Sequence, residues 1–82
     1  MPYEIRYHPT LRKVLARLDA ATHHRILEAI DTLKDNPYRG KKLQGVGVGQ
    51  WRFRVGDYRI RYDIIEETVL ILRIGHRREV YR

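Results

Sequence analysis

The 82-residue sequence holds no cysteine and no serine. Without cysteine there is no disulfide, no zinc–thiolate centre and no thiol nucleophile. Without serine, a serine hydroxyl nucleophile is excluded as well. Long apolar runs are missing too. The longest unbroken aliphatic stretch, Val69-Leu70-Ile71-Leu72, falls far short of the about 20 residues of a membrane-spanning helix. The opening Met1-Pro2-Tyr3-Glu4 lacks the basic and apolar regions of a secretory signal. The expected setting is the cytoplasm, with no membrane partner. A chain this short makes a single domain, residues 1–82, and buries only about 60% of the surface its unfolded form exposes. A shallow surface site is expected rather than an enclosed one.

Metal and cofactor chemistry find little support in the residues present. His23 and His24 sit side by side on a predicted helix and point in different directions, while His8 and His76 are distant in sequence. No histidine pair has the i, i+4 spacing of a helical metal site, so neither a metal nor a cofactor is expected. Gly45-Val46-Gly47-Val48-Gly49 looks like a phosphate-cradling loop, but it precedes a strand rather than a helix and so lacks the dinucleotide-fold context. The acidic residues Asp57, Glu66 and Glu67 fall in turns, where solvated polar groups are ordinary.

What the chain has in excess is positive charge. Seventeen Lys and Arg stand against ten Asp and Glu, a formal net charge of +7. The excess is uneven: net +2 over residues 1–40 and net +5 over residues 41–82. A basic domain of this kind usually meets a polyanion, either nucleic acid or an acidic protein.

The hydrophobic pattern gives the order of elements. Tyr3, Ile5 and Tyr7 alternate with Glu4 and Arg6, which reads as a short strand. Pro9 suits the first turn of a helix, and Leu11, Val14, Leu15 and Leu18 recur at helical spacing. After a joint at residues 19–22, where either Asp19 or Thr22 can cap, Ile26, Ala29, Ile30 and Leu33 form a second stripe that ends at Asn36-Pro37. Residues 38–50 read as a loop. Trp51, Phe53 and Val55 then alternate with arginines up to Gly56-Asp57, a two-residue hairpin turn. Tyr58, Ile60, Tyr62 and Ile64 continue a second strand, and residues 69–75 a third. The expected fold is α+β, in the order β-α-α-β-β-β. An antiparallel sheet carries an N-terminal helical hairpin on one face, because neither layer buries its apolar side alone.

The hairpin turn fixes a register. Val55 lies opposite Tyr58, Phe53 opposite Ile60 and Trp51 opposite Tyr62, all toward the core. On the other side Arg54 lies opposite Arg59 and Arg52 opposite Arg61. Like charges directly opposite one another destabilise a sheet, so two such pairs in one hairpin make sense when an anion sits between them. Arginine suits phosphate, because its planar fork donates two parallel hydrogen bonds. In the third strand Leu70, Leu72 and Ile74 are taken as the core set, which places Arg73 beside Arg61. That requires an odd number of loop residues around Glu66-Glu67-Thr68, since a two-residue loop would bury Arg73 at high cost. The tail adds His76, Arg77, Arg78 and Tyr81. Cations interleaved with an aromatic suit single-stranded RNA. Tyr81 is either a platform for a base or a core residue, and His76 either an acid–base group or a plain surface histidine.

Three segments resemble the RelE branch of the RelE/ParE toxin superfamily. They are Lys41-Lys42-Leu43-Gln44-Gly45, the hairpin from Trp51 to Tyr62, and Gly75-His76-Arg77-Arg78-Glu79-Val80-Tyr81. The resemblance implies a toxin of a type II toxin–antitoxin system, an endoribonuclease that cuts messenger RNA on the ribosome with the RNA's own 2′-hydroxyl as nucleophile. It implies an antitoxin protein, the ribosome and messenger RNA as partners. By position it implies catalytic roles for Arg54, Arg59, Arg77 and Tyr81, to which His76 is added as the one nearby group that titrates near neutrality. Lys41, Lys42, Arg52, Arg61, Arg73 and Arg78 would hold the RNA. Where the family pattern has lysines, this chain has Arg52 and Arg54, which stay protonated and serve as cations rather than bases. Two other readings remain: a ParE-type toxin that poisons DNA gyrase, and an RNA-binding relative without activity.

Overall fold

A computed structural model describes residues 2–80. The elements are β1 (Glu4–Tyr7), α1 (Leu11–Ala16), α2 (Ala20–Asp31), β2 (Lys41–Lys42), β3 (Trp51–Val55), β4 (Tyr58–Ile65), β5 (Thr68–His76) and a last turn of helix, α3 (Arg77–Val80). Single 3₁₀ turns at Thr32–Lys34 and Pro37–Arg39 carry the chain from α2 to the sheet. Asp19 is the cap of α2. Its carboxylate accepts the Thr22 N–H at 3.3 Å, and the hydrogen bonds it receives from Thr22 hold its pKa below the usual value.

The five strands form one sheet in the order β1-β5-β4-β3-β2. Strands β2 to β5 are antiparallel, whereas β1 pairs parallel with β5, so the sheet is mixed at one edge rather than antiparallel throughout. The parallel pairing follows from the connection. The chain leaves β1 through the helices and returns at the far edge, and the meander then brings β5 back alongside β1. The expected loop 38–50 also contains β2, two residues that no periodicity could announce.

Apolar side chains of α1, α2 and the following turn meet one face of the sheet. Leu11, Ile26, Ile30 and Leu33 pack with Val55, Ile60, Tyr62, Val69, Ile71 and Ile74, all buried. Burying an aliphatic side chain of this kind contributes about 1.5–3 kcal/mol. The β3–β4 register is the one the turn dictates, with Val55 opposite Tyr58, Phe53 opposite Ile60 and Trp51 opposite Tyr62. Gly56 supplies the positive φ, 59°, that the first position of such a turn needs.

The third strand differs from the expected pattern. Ile65 pairs with Thr68, so the loop is the two residues Glu66 and Glu67. Val69 and Ile71, not Leu70 and Leu72, enter the core. A bulge then intervenes: Tyr62 pairs with Ile71 but Arg61 with Arg73, which leaves Leu72 as an extra residue. An inserted residue inverts the alternation. It returns Ile74 to the core and places Arg73 across from Arg61, exposed. The cost of burying a guanidinium is avoided by a bulge rather than by a longer loop.

Tyr62 ties the core to the 3₁₀ turn. It is fully buried, and its hydroxyl donates to the Pro37 carbonyl at 2.7 Å and accepts the Gly40 N–H at 3.1 Å. Burial pushes its phenol pKa up. A Cβ at Gly40 would stand 2.6 Å from both the Arg52 carbonyl oxygen and the Tyr62 hydroxyl, so a glycine is what lets the chain pass there. Replacing Tyr62 with Phe leaves a half-buried N–H and a buried C=O without that partner. The expected loss is about 1–3 kcal/mol, read as a lower unfolding free energy in urea; an unchanged free energy would contradict the role given to this hydroxyl.

Candidate nucleic-acid interface

Residues paired across a sheet share a face. The register therefore places Lys41, Arg52, Arg61 and Arg73 in one row across β2, β3, β4 and β5. Arg54 and Arg59 form a second row beside it. At roughly 4.8 Å between strands the first row spans about 14 Å, enough to follow a backbone rather than a single phosphate. Both rows lie on the face that α1 and α2 leave uncovered. An open cleft of about 420 Å³ lies at the end of the rows formed by β2, β3 and β4, and five of its seven lining residues are cationic: Arg39, Lys41, Arg52, Arg54 and Arg59, with Gly40 and Phe53.

Arg59 is the unusual member. It is only 8% exposed, and its Nη1 reaches the carbonyl oxygens of Gly56 and Tyr58 at 3.4 Å, both long contacts. Among the described residues no carboxylate pairs with it. A guanidinium stays charged in proteins, so Arg59 is a largely desolvated cation on the floor of a cleft, held rigid by the middle of the sheet. Such a group has much to gain from an arriving anion.

The remaining arginines are placed by the ends of the strands. Arg77 follows β5, and its N–H donates to the Asp57 carbonyl at 2.7 Å, which ties it to the β3–β4 turn. Its guanidinium stands 4.0 Å from the Asp57 carboxylate. That exposed pair is too open to fix the side chain. Arg73 and Arg78 are exposed.

Three expectations change. His76 pairs with Tyr58 and packs edge-on against its ring at 5.5 Å, on the helix side of the sheet, where it lines a groove with Val14 and Leu18. Its Nδ1 accepts the Arg78 N–H at 3.3 Å. The structure does not bring it to the two arginine rows, because strand alternation sends residues 75 and 76 to opposite faces. Lys42 pairs with Trp51 and for the same reason leaves the cationic face, while Lys41 stays on it. Arg61 lies in the row, but its Nε donates to the Gly49 carbonyl at 2.7 Å. Tyr81 lies outside the described residues. Conversely, Arg39 lines the cleft and was not singled out by the sequence; the basic run Arg39-Gly40-Lys41-Lys42 was the available signal. Among the described residues no three His, Asp or Glu side chains gather as metal ligands, and no helix is long and apolar enough to cross a membrane.

The chain is similar to known proteins. The family model described as the ParE toxin of a type II toxin–antitoxin system matches residues 5–81. Toxin RelG of Mycobacterium tuberculosis is 38% identical over 86 residues, covering all of this chain and 99% of that protein. Among solved structures, the toxin–antitoxin complex RelBE2 of Mycobacterium tuberculosis matches with a TM-score of 0.81 at 35% identity, over 93% of this chain and 99% of that one. The archaeal RelE–RelB complex of Pyrococcus horikoshii matches with a TM-score of 0.80 at 32% identity, over 94% and 97%.

Opposed cations strain the sheet that carries them. Replacing exposed Arg54 by Gln, across from Arg59, is expected to raise stability by about 0.2–1 kcal/mol at low salt. The gain should shrink in about 1 M salt, where screening removes the repulsion. Thermal unfolding at the two salt concentrations checks this; a variant less stable than the wild type at low salt would show that Arg54 is a folding residue instead.

Proposed function

Because the chain belongs to the RelE/ParE superfamily and is a RelE-like toxin of a type II toxin–antitoxin system, we propose that its cationic face holds messenger RNA on the ribosome and cuts it. The observation that carries this reading is the desolvated Arg59 on the floor of a cleft lined by four further cations.

In the reaction the 2′-oxygen of one nucleotide attacks the adjacent phosphorus. The O2′–P bond forms, the P–O5′ bond breaks, and the phosphorane between them carries extra negative charge. Fixed cations at that point lower the barrier, because they need no reorganisation as the charge appears. Arg59 and Arg77 take this role, with Arg54 assisting. Lys41, Arg52, Arg73 and Arg39 lie along the path of the flanking backbone, and Arg78 extends it beyond β5. Tyr81, by its place in the family pattern, orients a base by stacking. An arginine cannot take up the 2′-proton, since it is already protonated; that proton passes to water and the leaving O5′ takes one from water, which leaves a 2′,3′-cyclic phosphate and a 5′-hydroxyl, so this chain's contribution is electrostatic and geometric. The ribosome supplies much of the in-line alignment. The site of action is the cytoplasm, where the message is translated.

The partner is a cognate antitoxin, as in the toxin–antitoxin complexes to which the chain is similar. A net charge of +7 calls for an antitoxin segment that is acidic, covering the open face in place of RNA. A second reading, gyrase poisoning, is favoured by the ParE description of the matching family.

Inducing the protein without its antitoxin, while mapping transcript ends and plasmid supercoiling, separates the two. Codon-periodic cuts within translated messages are expected. Arg59→Ala and Arg77→Ala should each lower the cleavage rate by about 10²–10³-fold. Broken DNA with intact messages would replace this reading by gyrase poisoning, and undiminished cleavage by either variant would remove that arginine from the site.

A further inference from the structure

The loop between β2 and β3 ought to be the least ordered part of the chain. Three of its residues, Gly45, Gly47 and Gly49, are glycines, which lose the most conformational freedom on ordering. Only its base is closed by the sheet, through the Leu43 N–H donating to the Gln50 carbonyl at 2.7 Å. Yet Gly49 is buried, and its peptide groups must find partners there.

Those partners come from two side chains of β4. The Asp63 carboxylate accepts the Gly49 N–H at 2.9 Å and the Gln50 N–H at 2.7 Å, one on each oxygen. Arg61 Nε donates to the Gly49 carbonyl at 2.7 Å, and its Nη2 reaches the Val48 carbonyl at 3.5 Å. Gly49 adopts φ +66°, and a Cβ there would lie 3.5 Å from three atoms of Arg61. The backbone is therefore laid against the arginine on the cationic face, with Val48 left 70% exposed at the loop's crest. Two residues spaced i, i+2 on one strand thus grip the N–H and the C=O of the same glycine.

We propose that Arg61 and Asp63 are positioning residues for RNA: they pin the Leu43–Gln50 loop over β4 as a fixed wall that turns the strand along the cation rows. This rests on the RNA-binding part of the reading above. Arg61 then aligns the substrate through the loop, while Arg52 on one side and Arg73 on the other face the backbone itself. Asp63 correspondingly accepts one backbone N–H of the loop on each of its two oxygens.

The test compares Arg61→Ala, Arg61→Lys, Asp63→Ala, Asp63→Asn and the double Ala variant with Arg52→Ala. Amide exchange at Gly49 and Gln50 is measured by NMR, and binding is measured with a single-stranded RNA made uncleavable by 2′-deoxy substitution at the cut site. Asp63→Ala and Arg61→Ala should each speed exchange at those two amides by about tenfold or more. Each should weaken RNA binding by a similar factor, and the double variant should be no worse than either alone, since both remove one device. Their dependence on salt should stay that of the wild type, whereas Arg52→Ala should reduce the slope of log K against log salt by about 0.7. Asp63→Asn, which keeps an acceptor and the fold, should fall between the wild type and Asp63→Ala. Arg61→Lys should fail like Arg61→Ala, because it keeps the charge but not the fork. Full binding by Arg61→Lys, or a salt slope lowered by Arg61→Ala as by Arg52→Ala, would overturn the proposal. A wild type that binds this RNA but never cuts messages would refute the nuclease and leave the wall standing.

Discussion

Two guanidinium groups set directly across a β-ladder repel. Here the arrangement is imposed by a two-residue turn. Gly56 takes the positive φ, Val55 meets Tyr58, and the pairs Arg54–Arg59 and Arg52–Arg61 follow without further choice. Lys41 and Arg73 extend the second pair to both neighbouring strands. The core on the far side supplies the stability against which the repulsion is set, and in the proposed function a phosphate backbone is the ligand that removes it.

The same sheet treats its arginines differently. Arg54 and Arg73 reach solvent, whereas Arg59 lies low in the cleft, its hydrogen bonds among the described residues being long contacts to two carbonyl oxygens. Arg61 is drawn aside to hold a glycine-rich loop. One strand thus offers a poised cation and a structural one two residues apart. Position along the strand, not residue type, divides the roles. The long pair between Arg77 and Asp57 leaves Arg77 near the turn from which Arg59 begins. Two catalytic candidates from distant parts of the chain therefore depend on the same tight turn.

Much of this was legible before any coordinates. Strict alternation around Gly56-Asp57 determined the β3–β4 register, and with it four of the six cations in the two rows. The helical stripes were equally clear, because Leu11, Val14, Leu15 and Leu18, and after the joint Ile26, Ala29, Ile30 and Leu33, recur at the helical period. Several of the illegible parts share a physical cause, which is that local pattern does not record a change of parity. Val69-Leu70-Ile71-Leu72 is apolar at every position, so alternation could not tell which half enters the core, and the bulge at Leu72 left no mark. The faces of Lys42 and His76 depended on pairings at strand ends, where a one-residue shift reverses a side chain. The parallel placement of β1 depended on the path of the whole chain. The grip of Arg61 and Asp63 on Gly49 joins residues 12 and 14 apart in sequence; its only trace was a lone acid among arginines and a loop too rich in glycine to order itself.

The central claim is that the open face, and not the helical one, receives RNA. It is tested most directly by titrating an uncleavable single-stranded RNA into the isotopically labelled protein and following the backbone amides and arginine Nε–H signals. The account predicts that shifts concentrate on Lys41, Arg52, Arg54, Arg59 and Arg73, with the Arg59 Nε–H among the most affected. Shifts gathered instead on α1 and α2, with the signals of the arginine rows unmoved at saturation, would contradict it.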